Sequence, residues 1–394
     1  MLAAKADNSV QESLEKSLEG KEISKNDALD LFGSQENRAI LSTASKIRDT
    51  SRRGPITYSR KIFINLINLC RDSCSYCTYK KEPGDSSASM MRPIEVLRLA
   101  EAGKKLRCTE ALIVTGERPE QKYTEARSWL RSLGHSSTIE YVREMSEMIL
   151  QKTGLLPHTN AGSLTKKEMS VLRDTNVSLG VMLESSSERL TMKGMPHEMA
   201  PSKNPKARIR TLESAGDLRI PTTTGLLIGI GEEPAEIIES LFLIKDINKR
   251  YSHIQELIMQ NFTPKVGSKM ATAAPTSSDF FMKAVGIARI ILRDMNIQVP
   301  PNLNPTIFGR FLEAGINDWG GISPLTLDHV NPEYPWPSIS SVRSATESRG
   351  HVLRARLPVY PSFLFDRTFI SEQLRRYTEP LCDGSGLVRE DYLG

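Results

Sequence analysis

The sequence predicts a closed (β/α)8 TIM-type barrel, with helices ahead of it and an extension behind. Three observations predict it. Apolar strand-like runs alternate with helical stretches from about Lys61 onward. The runs are continuously apolar, as in parallel sheets covered by helices. Eight such steps occupy about 260 residues, the usual length of this barrel. A doubly wound open sheet is the structural alternative. No G-x-G-x-x-G follows the first strand, which weakens a dinucleotide-binding reading.

Residues 1–58 read as an N-terminal helical lead-in. An amphipathic, charged stretch runs from Val10 to Leu18, a short helix from Lys25 to Phe32, and a third from Asn37 to Arg48. Ser51, Arg52, Arg53, Gly54 and Pro55 stop the pattern. The barrel is expected over 59–338. Strands are expected at 61–70, 110–116, 155–160, 177–185, 220–230, 253–262, 297–303 and 316–320. Helices are expected at 92–106, 138–153, 165–173, 205–215, 234–250, 278–295 and 307–314. Thr165 with Glu168 makes a capping box. Gly216 reads as a helix stop, and Pro234 suits a first helical position. Past Gly321 the chain turns Pro-rich, with Pro324, Pro332, Pro335 and Pro337. Residues 339–394 read as a C-terminal helix and tail. Leu357, Tyr360 and Phe363 are expected to pack the tail back onto the barrel.

Composition narrows the function. Hydrophobic residues make up 39% and charged residues 25% of 394 residues, enough for a packed core. Net charge is +5 with no basic block, so nucleic acid is not indicated as a partner. No segment approaches the ~20 apolar residues of a membrane span. The acid-rich start lacks the apolar run of a signal peptide. A soluble cytoplasmic protein is expected.

The five cysteines are too few for a disulfide framework. Three of them fall within eight positions: Cys70-Arg-Asp-Ser-Cys74-Ser-Tyr-Cys77. They begin where the first barrel strand ends, on the face where barrel loops carry chemistry. Three thiolates on one loop can hold three irons of a cubane 4Fe–4S cluster, leaving one iron open. Structural zinc wants four N/S ligands, and the nearest histidines, His135 and His158, lie far along the chain. A zinc site and unrelated buried cysteines are the bland readings. Cys108 and Cys382 stand alone and read as packing residues.

The pattern C-x-x-x-C-x-aromatic-C, with Tyr76 as the aromatic, resembles the radical S-adenosylmethionine (SAM) superfamily. The resemblance implies a cluster on Cys70, Cys74 and Cys77 whose open iron chelates SAM. Reductive cleavage then gives a 5′-deoxyadenosyl radical that abstracts hydrogen from a substrate. It also implies SAM contacts. Gly116 and Glu117 look like the element that binds the SAM amino group. Glu184 sits where similar enzymes bond the ribose hydroxyls. Arg208 or Arg210, at a helix start, would pair with the SAM carboxylate. Gly225, Gly229, Gly231 and Glu232 resemble the glycine-rich strand end that flanks the adenine. The bland alternatives are solvated loop acids and a solvated helix face.

Several stretches look like one family, the first radical SAM subunit of FO synthase. They include NLCRDSCSYCTY (68–79), TTGLLIGIGE (223–232), VPPNL (299–303) and NDWGGISPLTLDHVNPEYPWPS (317–338). FO is 7,8-didemethyl-8-hydroxy-5-deazariboflavin. The resemblance implies a carbon–nitrogen lyase that cyclises a hydroxybenzyl–ribityliminouracil adduct with release of ammonia. The implied partners are that small molecule, a one-electron donor, and FO synthase subunit 2, which makes the adduct. Substrate contacts are expected at later strand ends: Asn261, Asn302, Asp318 and Trp319, with His329 and Asn331 weaker. Capping or packing is the alternative for each. The rival readings are the partner subunit, a futalosine-pathway or biotin-synthase-like enzyme, and a non-catalytic iron–sulfur or zinc protein.

Overall fold

A computed structural model describes residues 2–393. Eight parallel strands close into a barrel: β1 Ile56–Ile67, β2 Glu110–Thr115, β3 Leu156–Asn160, β4 Ser178–Gly180, β5 Thr222–Ile228, β6 Ile254–Asn261, β7 Ile297–Gln298 and β8 Asp318–Ile322. The order runs β2 to β8 and returns through β1 to β2. Lys61 pairs in register with Glu110, and Gln298 with Asp318. Among the described residues, no helix is long and apolar enough to cross a membrane.

The strand boundaries differ from the sequence reading where side chains or prolines interrupt pairing. β4 covers three residues of the expected nine. Beyond it the chain meets β5 once more at Glu184, which bridges to Leu226 with a left-handed backbone (φ +63°). β7 stops at Gln298. Pro300 and Pro301 then remove two ladder donors, and Pro301–Leu303 forms a 3-10 turn instead. The helix expected at 307–314 is a 3-10 turn, Phe308–Leu312. Gly216 does not stop its helix, which runs Pro205–Asp217. A Cβ there would lie 2.5 Å from the Tyr251 ring, so this glycine permits close helix packing. Two helices the sequence reading omitted, Pro119–Lys122 and Thr124–Ser132, follow β2.

The lead-in helices Leu2–Leu18, Lys25–Gly33 and Asn37–Ser51 join the outer layer. Ser24 and Asp27 form a capping box at the second. Ala28, Leu31, Ile40, Ala44 and Ile47 are buried in one core with Phe281 and Val285 of helix Ser278–Ile291.

The tail adds an element the sequence did not announce. β9, Leu353–Arg356, pairs parallel to Ile56–Ser59 of β1. Higher up the same side of β1, residues 61–67 pair with β2. β9 thus continues the line of β2 at the lower rim, where the strands begin. Its Arg356 turns into the barrel and, with Pro358, lines the floor of the central cavity.

Candidate functional site

The main cavity opens at the C-terminal ends of the strands and runs down the barrel. It is layered. At the mouth stand Cys70, Cys74, Cys77, Tyr76, Glu117, Glu184, Lys203 and Arg208. Below them lies an apolar collar of Phe63, Leu112, Val114, Met182 and Ile258. The floor is polar: Lys61, Glu110, His158, Thr223, Glu256, Gln298 and Arg356.

The cysteine loop is held from several sides. The Tyr79 hydroxyl donates to the carbonyl of Val114 at 3.2 Å, and that of Tyr123 to the carbonyl of Cys70 at 3.1 Å. The backbone N–H of Ser73 donates to Met199 and that of Ser75 to Pro196. A Cβ at Gly116 would sit 2.0 Å from the Leu69 carbonyl oxygen and 2.8 Å from Cys70 Cβ. Glycine at 116 therefore lets the end of β2 close against the loop. The Glu117 N–H donates to Cys70 Sγ at 3.2 Å.

These residues fit an iron–sulfur cluster. All three thiols are free and face one cavity. Among the described residues, no three His, Cys, Asp or Glu side chains converge on a single-ion site. A mononuclear zinc set is thus not built, whereas a cubane takes its three sulfurs at separate corners. Burial pushes the Cys70 thiol up to about 11 and that of Cys74 to about 12. Metal binding at these thiols must displace protons.

Groups suited to a zwitterionic ligand flank the thiols. Glu117 is buried; one oxygen accepts from the Ser163 N–H at 2.9 Å, and the other has no hydrogen-bond partner. Arg118 Nε lies 3.5 Å from that second oxygen, which still has lone pairs for a further donor such as an ammonium. Arg208 is buried, with Nη2 4.0 Å from Glu117. Arg210 is exposed and faces away, beside Asn204 and Lys206. The structure therefore separates the two arginines: Arg208 lines the cavity and Arg210 does not. Glu184, strained at positive φ, pairs with Lys203. Such strain in a non-glycine residue clusters at ligand sites. Lys203 carried no signal in the sequence, being one lysine in a loop. The Tyr76 hydroxyl lies 3.0 Å from His197 Nε2.

Other expected residues lie elsewhere. Gly229 (φ +100°) does not line the cavity; a Cβ there would meet Thr276 Oγ1 at 2.0 Å. Asn261 lines a small side pocket shared with Tyr76, Glu184 and Asn331. Asn302 is buried and donates to Asp328 Oδ2 at 3.0 Å, so it orients a cavity residue rather than facing the cavity. Asp318 is fully buried beneath the floor, paired with Arg356. Trp319 points out of the barrel, edge-on to Phe308, its Nε1 donating to Thr346 Oγ1 at 3.0 Å. Along a strand adjacent side chains take opposite faces, so 318 and 319 could not both have faced inward. His329 packs edge-on to Phe63 at 5.2 Å, and Asn331 lines the cavity mouth.

The floor was not legible in the sequence. Lys61, Glu110, His158, Glu256 and Gln298 are polar residues inside apolar strands, spaced by two from other inward positions. That alternation was the available signal.

A parallel barrel with three thiols on the loop after β1 defines a radical SAM enzyme. The model of the radical SAM superfamily matches residues 64–244. This superfamily works with a 4Fe–4S cluster and SAM. The 7,8-didemethyl-8-hydroxy-5-deazariboflavin synthase of Methanopyrus kandleri is 44% identical over 335 residues, covering 85% of this chain and 100% of its own. The FO synthase of Streptomyces coelicolor is 41% identical; the match takes in 99% of this chain but 47% of that protein. The chain belongs to the 7,8-didemethyl-8-hydroxy-5-deazariboflavin synthase family. Among solved structures, the FeFe-hydrogenase maturase of Carboxydothermus hydrogenoformans superposes with a TM-score of 0.75 at 17% identity, covering 95% of this chain and 89% of that one. That likeness shows the fold.

Proposed function

We propose that this chain closes the deazaflavin ring of FO from a hydroxybenzyl–ribityliminouracil adduct, releasing ammonia. The observation that carries this is 44% identity to the Methanopyrus kandleri synthase over that protein's whole length. The three clustered thiols at the cavity mouth supply its cofactor site.

In this reading Cys70, Cys74 and Cys77 hold the cluster. When bound, cluster and SAM supply a hydrogen-abstracting radical. Glu117 and Arg208 take the amino and carboxylate groups of SAM. Glu184, held by Lys203, accepts from ribose hydroxyls. Tyr76, fixed by His197, walls the site. The apolar collar keeps water from the reacting carbons, and the polar floor receives the rest of the adduct. Gly116 and Gly229 act through backbone packing.

The chain works as three parts: a helical lead-in, the barrel, which starts with β1 at Ile56 rather than at 59, and a tail beyond 338 that closes the barrel floor. An oxygen-sensitive cluster suits a reducing cytoplasm. A one-electron donor reduces it, and a second FO synthase subunit provides the adduct. The double-length Streptomyces coelicolor relative supports that pairing.

The test is anaerobic incubation of the iron-loaded protein with SAM, dithionite and the adduct. Deazaflavin fluorescence is the expected result. SAM cleavage without fluorescence would favour another substrate; no 5′-deoxyadenosine at all would sink the radical assignment.

A further inference from the structure

The floor of the cavity holds a cation that the protein itself does not satisfy. Lys61 is 8% exposed, yet its ammonium makes no hydrogen bond and no ion pair among the described residues. Lysines are almost never this buried without a partner.

Its seat is built. The ammonium lies 4.6 Å from the centroid of the Trp336 ring, a favourable cation–π position. The side chain rests on the backbone of Gly321: a Cβ there would meet Lys61 Cδ at 2.3 Å and Nζ at 2.6 Å. Gly320 makes the matching space for Gln298, whose Nε2 a Cβ would meet at 1.9 Å. The Gly320-Gly321 pair thus clears room for two donor side chains to enter the barrel from β1 and β7.

The same floor presents acceptors. The Ser178 hydroxyl donates to the Pro358 carbonyl at 2.6 Å, so it accepts from His158 Nδ1, also at 2.6 Å. That fixes the neutral tautomer with Nε2 as a free acceptor. Glu110 accepts from the Ser59 hydroxyl through one oxygen. Glu110 and Asp328 line the cavity with Lys61, and Arg356 is taken up by Glu256 and Asp318, so the floor has no excess of positive charge to draw an anionic ligand. A neutral ligand rich in carbonyls and hydroxyls would satisfy donors and acceptors together.

We propose that Lys61 is the substrate anchor, donating to a carbonyl oxygen of a pyrimidinedione ring whose polyol chain is bonded by His158 and Glu110. This rests on the ring-closing reaction proposed above. It places the pyrimidinedione and its polyol at the floor, and the hydroxybenzyl carbons in the collar, nearer the thiols.

The experiment compares wild type with Lys61→Met and Gly321→Ala, all iron-loaded. The readouts are KM and kcat for the adduct by deazaflavin fluorescence, adduct binding by quenching of tryptophan fluorescence, and 5′-deoxyadenosine formed from SAM alone. Loss of one charge-assisted bond should raise KM and Kd about tenfold or more. SAM cleavage without adduct should stay at the wild-type level. Gly321→Ala pushes Lys61 off its seat and should move KM the same way. Should Lys61→Met lose its iron, Gly321→Ala decides. Unchanged KM and Kd in a variant with wild-type iron and SAM cleavage would overturn the assignment. A wild type that cleaves SAM but forms no deazaflavin would overturn the reaction, and this anchor with it.

Discussion

Arg356 of the tail grips Asp318 of the barrel with both arms of its guanidinium, Nε to Oδ2 at 2.6 Å and Nη2 to Oδ1 at 2.9 Å. Asp318 is wholly buried and Arg356 nearly so. The same Nη2 also reaches Glu256 at 3.0 Å. Breaking one side of a buried pair costs about 3–5 kcal/mol, because the other charge is stranded. Arg356 keeps Glu256 as a partner, so Asp318→Ala should lower unfolding free energy in urea by about 3 kcal/mol, the lower end of that range. The double variant with Arg356→Met should recover part of the loss; a strictly additive pair would contradict the coupling.

Cluster ligation divides the cysteines. Cys74→Ala should leave two thiols at the site and lose most bound iron after anaerobic reconstitution. Cys108→Ala and Cys382→Ala should keep it, since Cys108 is buried under the barrel wall and Cys382 sits in the tail. Iron content and the cluster's visible absorbance check both.

Gly116→Ala tests how the loop is seated. The added methyl has no space beside the Leu69 carbonyl, and backbone cannot yield as a flexible side chain does. The variant should bind less iron than wild type and reconstitute more slowly, while circular dichroism stays close to wild type. Full iron content would show that the loop has slack.

Buried histidines set the acid response. Burial holds His158 down to about 4, His197 to about 3 and His253 to about 4. At pH 5 they stay neutral in the folded chain, while the unfolded chain protonates near the ordinary 6.5. The unfolded state then binds more protons, so stability falls as pH drops below 6.5 and keeps falling until the native rings titrate near 4 and 3. Each contributes about 2 kcal/mol of loss by pH 5. Glu256, pushed up to about 7 by burial, gains protons in the native state over the same window and offsets part. For these four groups the net expectation is a loss of about 3.5 kcal/mol between pH 7.5 and 5, read from urea midpoints.

The barrel was legible because its signal is periodic and local. Apolar runs such as Ile62–Ile64 mark buried strands, and capping boxes such as Thr165–Glu168 mark helix starts. The thiol loop was legible because Cys70, Cys74 and Cys77 are neighbours in sequence. What failed depended on orientation or distance. Trp319 and Asp318 belong to one conspicuous stretch, but strand alternation sends one outward and buries the other under Arg356. Arg208 and Arg210, two apart on a helix, lie on different faces, and spacing alone does not say which faces inward. Lys203 meets Glu184 only through the fold. β9 is four residues long and holds two arginines, too short and too polar to announce a strand.

The first strand of the barrel waits for the last. Ile56 pairs with Leu353, 353 − 56 = 297 positions later. During synthesis the thiol loop leaves the ribosome early, while the lower rim stays open until Arg356 emerges and Asp318 and Glu256 find their counter-charge. Contacts of such sequence separation form slowly. Through that interval the barrel has a cofactor loop at one end and no bottom at the other.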